Sequence, residues 1–129
     1  MGPLILAAGL ALALQGAAAP YYEGIARDSF AAWSFTSGVI ATQGTVKTTS
    51  VQTLYDSPTA FNGNPTPVAW SIHQVAFDCQ AKTATFLSGA NYAKSGGLIN
   101  AANPSPATPW TDYTTGFQQL AAEVCAMKG

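Results

Sequence analysis

The sequence predicts an α+β domain: an antiparallel β-sheet of four to six strands with a C-terminal α-helix packed on one face, stapled by a disulfide. Three observations carry that expectation. From Val39 to Ser88 the chain runs in stretches rich in Thr, Val and aromatic residues, broken by clusters of Gly, Pro and Asn, which is the composition of strands and turns. After Trp110 the apolar spacing widens from two residues to three and four, the period of a helix. The two cysteines, Cys79 and Cys125, fall one in each kind of segment.

The first 18 residues read as a signal peptide, and residues 19–129 as a single domain. Pro3 to Leu14 is an apolar run, and Gln15-Gly16-Ala17-Ala18 is a small-residue cleavage region. A cut after Ala18 has Gly16 and Ala18 at the two positions that must be small, whereas Pro20 disfavours a cut after Ala19. No Lys or Arg precedes the run, so the alternative is a retained membrane anchor. From Pro3 to Ala19 it is about 17 residues, short of the about 20 that span a bilayer. No cysteine stands near residue 19, so lipid anchoring is not expected.

Export implies an oxidising compartment, where disulfides persist. Two cysteines allow one intramolecular pairing, Cys79 with Cys125. Closing that loop in the unfolded chain is worth about 4 kcal/mol in the chain-entropy account.

Taken in order, Asp28-Ser29-Phe30 reads as a turn or the start of a short strand. Val39 to Tyr55 reads as strand with a turn near Gln43-Gly44. Ser57 to Pro67 reads as a loop, since Pro58, Pro65 and Pro67 cannot donate to a sheet ladder. Val68 to Cys79 is the strongest strand, with Val75, Phe77 and Cys79 on one face and Trp70, Ile72 and Gln74 on the other. A short turn at Gln80-Ala81-Lys82 leads into Thr83 to Ser88, and a hairpin loop of even length places Phe77 and Cys79 beside Ala84 and Phe86. Tyr92 and Leu98-Ile99 frame a further hairpin that turns at Ser95-Gly96-Gly97. Asn103 to Pro109 holds three prolines and reads as a stiff, extended connector. Thr115-Gly116-Phe117-Gln118 has the spacing of a capping box. Behind it, Phe117, Leu120, Ala121, Val124 and Cys125 share one helical face. A Cys79–Cys125 bond then docks the apolar face of the helix on the apolar face of the central hairpin.

Phe77-Asp78-Cys79 ending a strand, a second strand through Thr85-Phe86-Leu87-Ser88, a Tyr and glycine turn, Pro109-Trp110 and a helix ending in Cys125 together resemble the surface-adhesin protein E family. The resemblance is strongest over residues 70–125. It implies an envelope or secreted domain with an antiparallel sheet, a C-terminal helix and a disulfide. It also implies an adhesin-like role: binding of host matrix and serum proteins, and dimerisation.

Charge excludes other classes. Lys and Arg number 5, Asp and Glu 6, and the net charge is −1, so no basic surface exists to neutralise nucleic-acid phosphates. His73 is the one histidine, and no metal-ligand spacing or cofactor motif appears, so neither metal nor cofactor is expected. A Ser71–His73–Asp78 triad is disfavoured because strand alternation puts Asp78 on the face opposite Ser71 and His73. Asp78 instead suits a turn-capping carboxylate. Glu23, Asp28, Asp56, Asp112 and Glu123 show no catalytic pairing, and the chain reads as a non-enzyme.

Large rings are more suggestive. Trp33, Trp70 and Trp110 join Tyr21, Tyr22, Tyr55, Tyr92 and Tyr113 in a small domain, and Trp and Tyr dominate protein interfaces. Trp70 and Ile72, on the face away from the helix, together with Tyr92 and Trp110, are the candidate partner-binding residues. The expected function is an exported, non-catalytic protein-binding module of the bacterial cell envelope, periplasmic or at the cell surface. Its partner is a protein, a homodimer included. The alternative is a structural accessory subunit of an envelope assembly, touching the membrane only through a retained leader.

Overall fold

The computed structural model describes residues 23–36, 40–59 and 66–127. The proposed leader, Tyr21, Tyr22 and residues 60–65 of the proline-rich loop lie outside them. In chain order the elements are β1 (Glu23–Arg27), β2 (Ala31–Phe35), β3 (Ala41–Gln43), β4 (Val46–Thr59), β5 (Val68–Asp78), β6 (Thr83–Tyr92), β7 (Leu98–Ala102) and β8 (Thr108–Pro109). A single-turn 3-10 helix (Trp110–Asp112) and α1 (Thr115–Ala126) follow.

The strands make one antiparallel sheet, in the order β1-β2-β4-β5-β6-β7. These six are the upper end of the expected number. The described sheet has eight, because β3 pairs with β4 beyond the end of β2, and β8 pairs with β6 beyond the end of β7. Segments of three and two residues are too short to carry a pattern of their own. The loop expected from Ser57 also begins later, since β4 runs on to Thr59. The β4–β5 register is irregular between Leu54 and Thr59, and there Pro58 owes the ladder no N–H.

The central hairpin turns through Cys79 to Lys82, and Phe77 stands opposite Ala84 and Val75 opposite Phe86. Asp78 caps this turn: its Oδ1 accepts the Gln80 and Ala81 N–H groups at 3.0 Å each and the Thr45 hydroxyl at 3.1 Å. The Ala81 N–H first, joined by the Gln80 N–H and the Thr45 hydroxyl, holds the Asp78 carboxyl below its usual 3.8 against the opposing effect of desolvation.

α1 lies across one sheet face. Phe117, Leu120, Ala121 and Val124 are buried against Trp33, Phe35, Val75 and Phe77. Its last turn is tied to the sheet by the Cys79–Cys125 disulfide, with Cα atoms 5.7 Å apart. The expected capping box does not form. The N-cap is Thr114, whose side chain makes no capping bond to the helix. The cap comes from Asp28 in the β1–β2 turn, whose Oδ2 accepts the Gly116 N–H at 2.7 Å while its Oδ1 accepts those of Phe30 and Ala31. Gln118 turns back to donate to the Tyr113 carbonyl instead. Gly116 permits this close docking, because a Cβ there would stand 2.5 Å from Trp33 Cζ3 and 2.8 Å from Asp28 Oδ2.

Candidate functional site

Two bulges decide which side chains share a face. Gln74 pairs with Ser88 but Val75 with Phe86, so Leu87 is an extra residue in β6. Each extra residue reverses the alternation that follows it. Phe86 therefore faces α1, while Tyr92, with the same parity, faces away from it. A second shift leaves Ile99 extra in β7, so Leu98 is opposite Tyr92.

As a result, Ala32, Leu54, Trp70, Tyr92 and Leu98 stand directly opposite one another in a row across β2, β4, β5, β6 and β7. The row lies on the face without the helix. Trp70 and Tyr92 stack face to face, with centroids 4.0 Å apart and planes at 9°. Leu54 is 47% exposed and Leu98 65% exposed. Ile72 and Ala90 pair in the next row. Toward β1 the patch is bounded by the exposed Arg27–Asp56 ion pair at 2.8 Å.

Three of the four residues expected to meet a partner, Trp70, Ile72 and Tyr92, are thus brought together. The fourth is not. Trp110 is buried on the opposite side, 8% exposed, with its indole N–H donated to the Thr83 carbonyl at 2.8 Å and Lys82 Nζ over its ring. It pins the connector to β6 and offers no contact area. Leu54 and Leu98 went unseen in the sequence because only the register aligns them with Trp70.

The helix face holds a second feature. The chain from Trp110 to Thr114 crosses from β6 to the β1–β2 turn and leaves a cleft of about 260 Å³ beside the first turn of α1. Thr53, His73 and Tyr55 of the sheet contribute to it, as do Phe30 and the rings of Tyr113 and Phe117. His73 packs edge-on against Phe86 at 4.9 Å and occupies space left by Gly89, where any Cβ would collide with the imidazole. Burial pushes the His73 pKa down to about 4, and its buried Nδ1 has no hydrogen-bond partner. Burial, only partly offset by the Ser71 hydroxyl, pushes the Tyr55 phenol up. Burial first, and then the neighbouring Asp112 charge, does the same at Tyr113, against a bond to Thr108. At neutral pH these groups are therefore uncharged. Ser71 Oγ lies 3.3 Å from the Tyr55 hydroxyl, and Asp78 is at the far turn, so the sheet assembles no Ser–His–Asp array.

Among the described residues no group of His, Cys, Asp and Glu is arranged to hold a metal ion, and no helix is long and apolar enough to cross a membrane. No protein-family model and no curated protein sequence matches the chain.

Proposed function

We propose that the chain is an exported, non-catalytic protein-binding module of the cell envelope, adhesin-like, and that its helix-free sheet face is the contact surface. The observation that carries this reading is the apolar row from Leu54 through the stacked Trp70–Tyr92 pair to Leu98. Burying large rings that are already ordered gains contact area at small entropic cost. The disulfide fits an oxidising compartment. With a net charge of −1, recognition rests on shape and apolar area, and self-association meets little repulsion.

The test measures binding of the wild-type chain to itself by sedimentation velocity, and to immobilised matrix and serum proteins by surface plasmon resonance. The reading expects binding in at least one arm, with a loss of about tenfold or more in Leu54→Ser/Leu98→Ser at unchanged stability, the scale of buried interface anchors. A wild type that binds in neither arm, or a variant that binds as well as wild type, overturns it.

A further inference from the structure

The cleft beside the first turn of α1 is on the face opposite the proposed contact surface, and its chemistry is different. Its rings form an unbroken series of contacts. Tyr55 meets Phe30 at 5.3 Å, Phe30 meets Trp33 at 6.2 Å, and Trp33 meets Phe117 at 6.2 Å. Phe117 meets Tyr113 at 4.4 Å, and Tyr113 meets Phe86 at 5.9 Å. All six rings line the cleft. The face of each ring carries negative potential.

Charge points the same way. Among the described residues the one acidic side chain lining the cleft is Asp112, and no Lys or Arg lines it. His73, desolvated beneath the rings, stays neutral above mildly acid pH and adds no positive charge. An anion would meet aromatic rings and a carboxylate with no Lys or Arg to offset it, and the Gly116 N–H at the start of α1 is already given to Asp28. A primary ammonium would bring three N–H donors, and beside the Asp112 carboxylate and the buried His73 Nδ1 the lining is mostly ring, with the Tyr55 hydroxyl already within reach of Ser71. A methylated ammonium has no such donors to satisfy and spreads its charge over methyl groups that pack on rings. The volume, about 260 Å³, lies just under the lower end of ordinary ligand pockets, about 300 Å³, and calls for a small guest.

We propose that this cleft binds a small methylated ammonium cation, of the class represented by choline, between the rings of Phe30, Tyr55, Phe86 and Tyr113, with Asp112 as the counter-charge. The rings supply cation–π attraction and apolar contact at once, and Asp112 supplies an opposite charge at the cleft lining.

The probe pair is choline chloride and 3,3-dimethylbutan-1-ol, which has the same shape and no charge, titrated into the full chain and followed by tryptophan fluorescence and amide NMR shifts. Choline should bind saturably, shift residues of the cleft, and bind about tenfold more tightly than the alcohol, the scale of a desolvated cation–π contact. Asp112→Asn, at an exposed position that leaves the core intact, should weaken choline about threefold to fivefold and leave the alcohol unchanged. Phe30→Leu, at the rim, should weaken choline more than the alcohol. Leu54→Ser/Leu98→Ser, on the other face, should bind choline like wild type, so this proposal and the contact surface stand or fall separately. Equal affinity for the two probes, no shift at cleft residues, or an Asp112→Asn variant that binds choline unchanged overturns the proposal.

Discussion

The two ends of α1 are fastened by different means. The C-terminal end is held by a covalent bond between Cys125 and Cys79, and the N-terminal end by a carboxylate and an absent side chain. Asp28, 88 positions from Gly116 in the chain, takes the place of a local cap, and Gly116 lets the helix sit against Trp33. A covalent staple constrains the unfolded chain as well as the folded one. A cap and a close approach act only in the folded state. The two ends should therefore respond differently to substitution and to acid.

The largest effect belongs to the C-terminal end. Replacing both cysteines, Cys79→Ser/Cys125→Ser, should cost about 4 kcal/mol of unfolding free energy, most of it through a freer denatured state. Urea unfolding of the double variant, and of wild type with reductant, measures it. A loss below about 1 kcal/mol would mean that the N-terminal end and the apolar face carry the helix alone.

His73 lies between the two ends, under the chain segment that leads into α1. Because burial lowers its pKa from 6.5 to about 4, the unfolded state takes up a proton before the folded state does. Stability should then fall as pH drops from about 6.5 to about 4 and level off for this residue below that. The loss is about 3 kcal/mol at most. Unfolding curves of wild type and His73→Gln across this range should converge in slope only below pH 4; parallel curves throughout would show that His73 protonates freely in the folded protein.

Legibility in the sequence follows the same division. Much that depended on residue type and local spacing was readable: the staple, the helix face from Phe117 to Cys125, the turn capped by Asp78, and the faces of β5. What depended on register was not. Leu87 and Ile99 are ordinary residues for a strand, yet as bulges they align Tyr92 and Leu98 with Trp70. Trp110 looked like a surface ring because nothing nearby in sequence shows that Thr83 takes its N–H. Thr115 had the spacing of a cap, but a distant carboxylate reached the free N–H groups first.

Gly116→Ala separates local preference from tertiary fit. On an exposed helix the change stabilises by about 1 kcal/mol. Here the added methyl would meet Trp33 and Asp28, and the net outcome should be a loss of about 2 kcal/mol. A neutral or stabilising result, read from thermal and urea unfolding, would show that the N-terminal end shifts outward at little cost.

The smallest effect is expected from Asp28→Asn, which keeps the size of the side chain but removes its charge and turns one of its two accepting oxygens into an NH2 donor. Loss of the charge and of one accepted N–H at the helix N-terminus should together cost about 1–2 kcal/mol at neutral pH. Burial pushes the Asp28 carboxyl up, but hydrogen bonds from Thr114, Gly116, Phe30 and Ala31 outweigh it and hold the group below its usual 3.8. A lowered carboxylate contributes its stability above the unfolded value and loses it as pH falls through the folded one. The gap between wild type and Asp28→Asn should thus stay constant from neutral pH down to about 4 and close only below, after the His73 loss is complete. A gap that closes between pH 6.5 and 4 would place the two groups in one coupled titration and would deny Asp28 an independent hold on the helix.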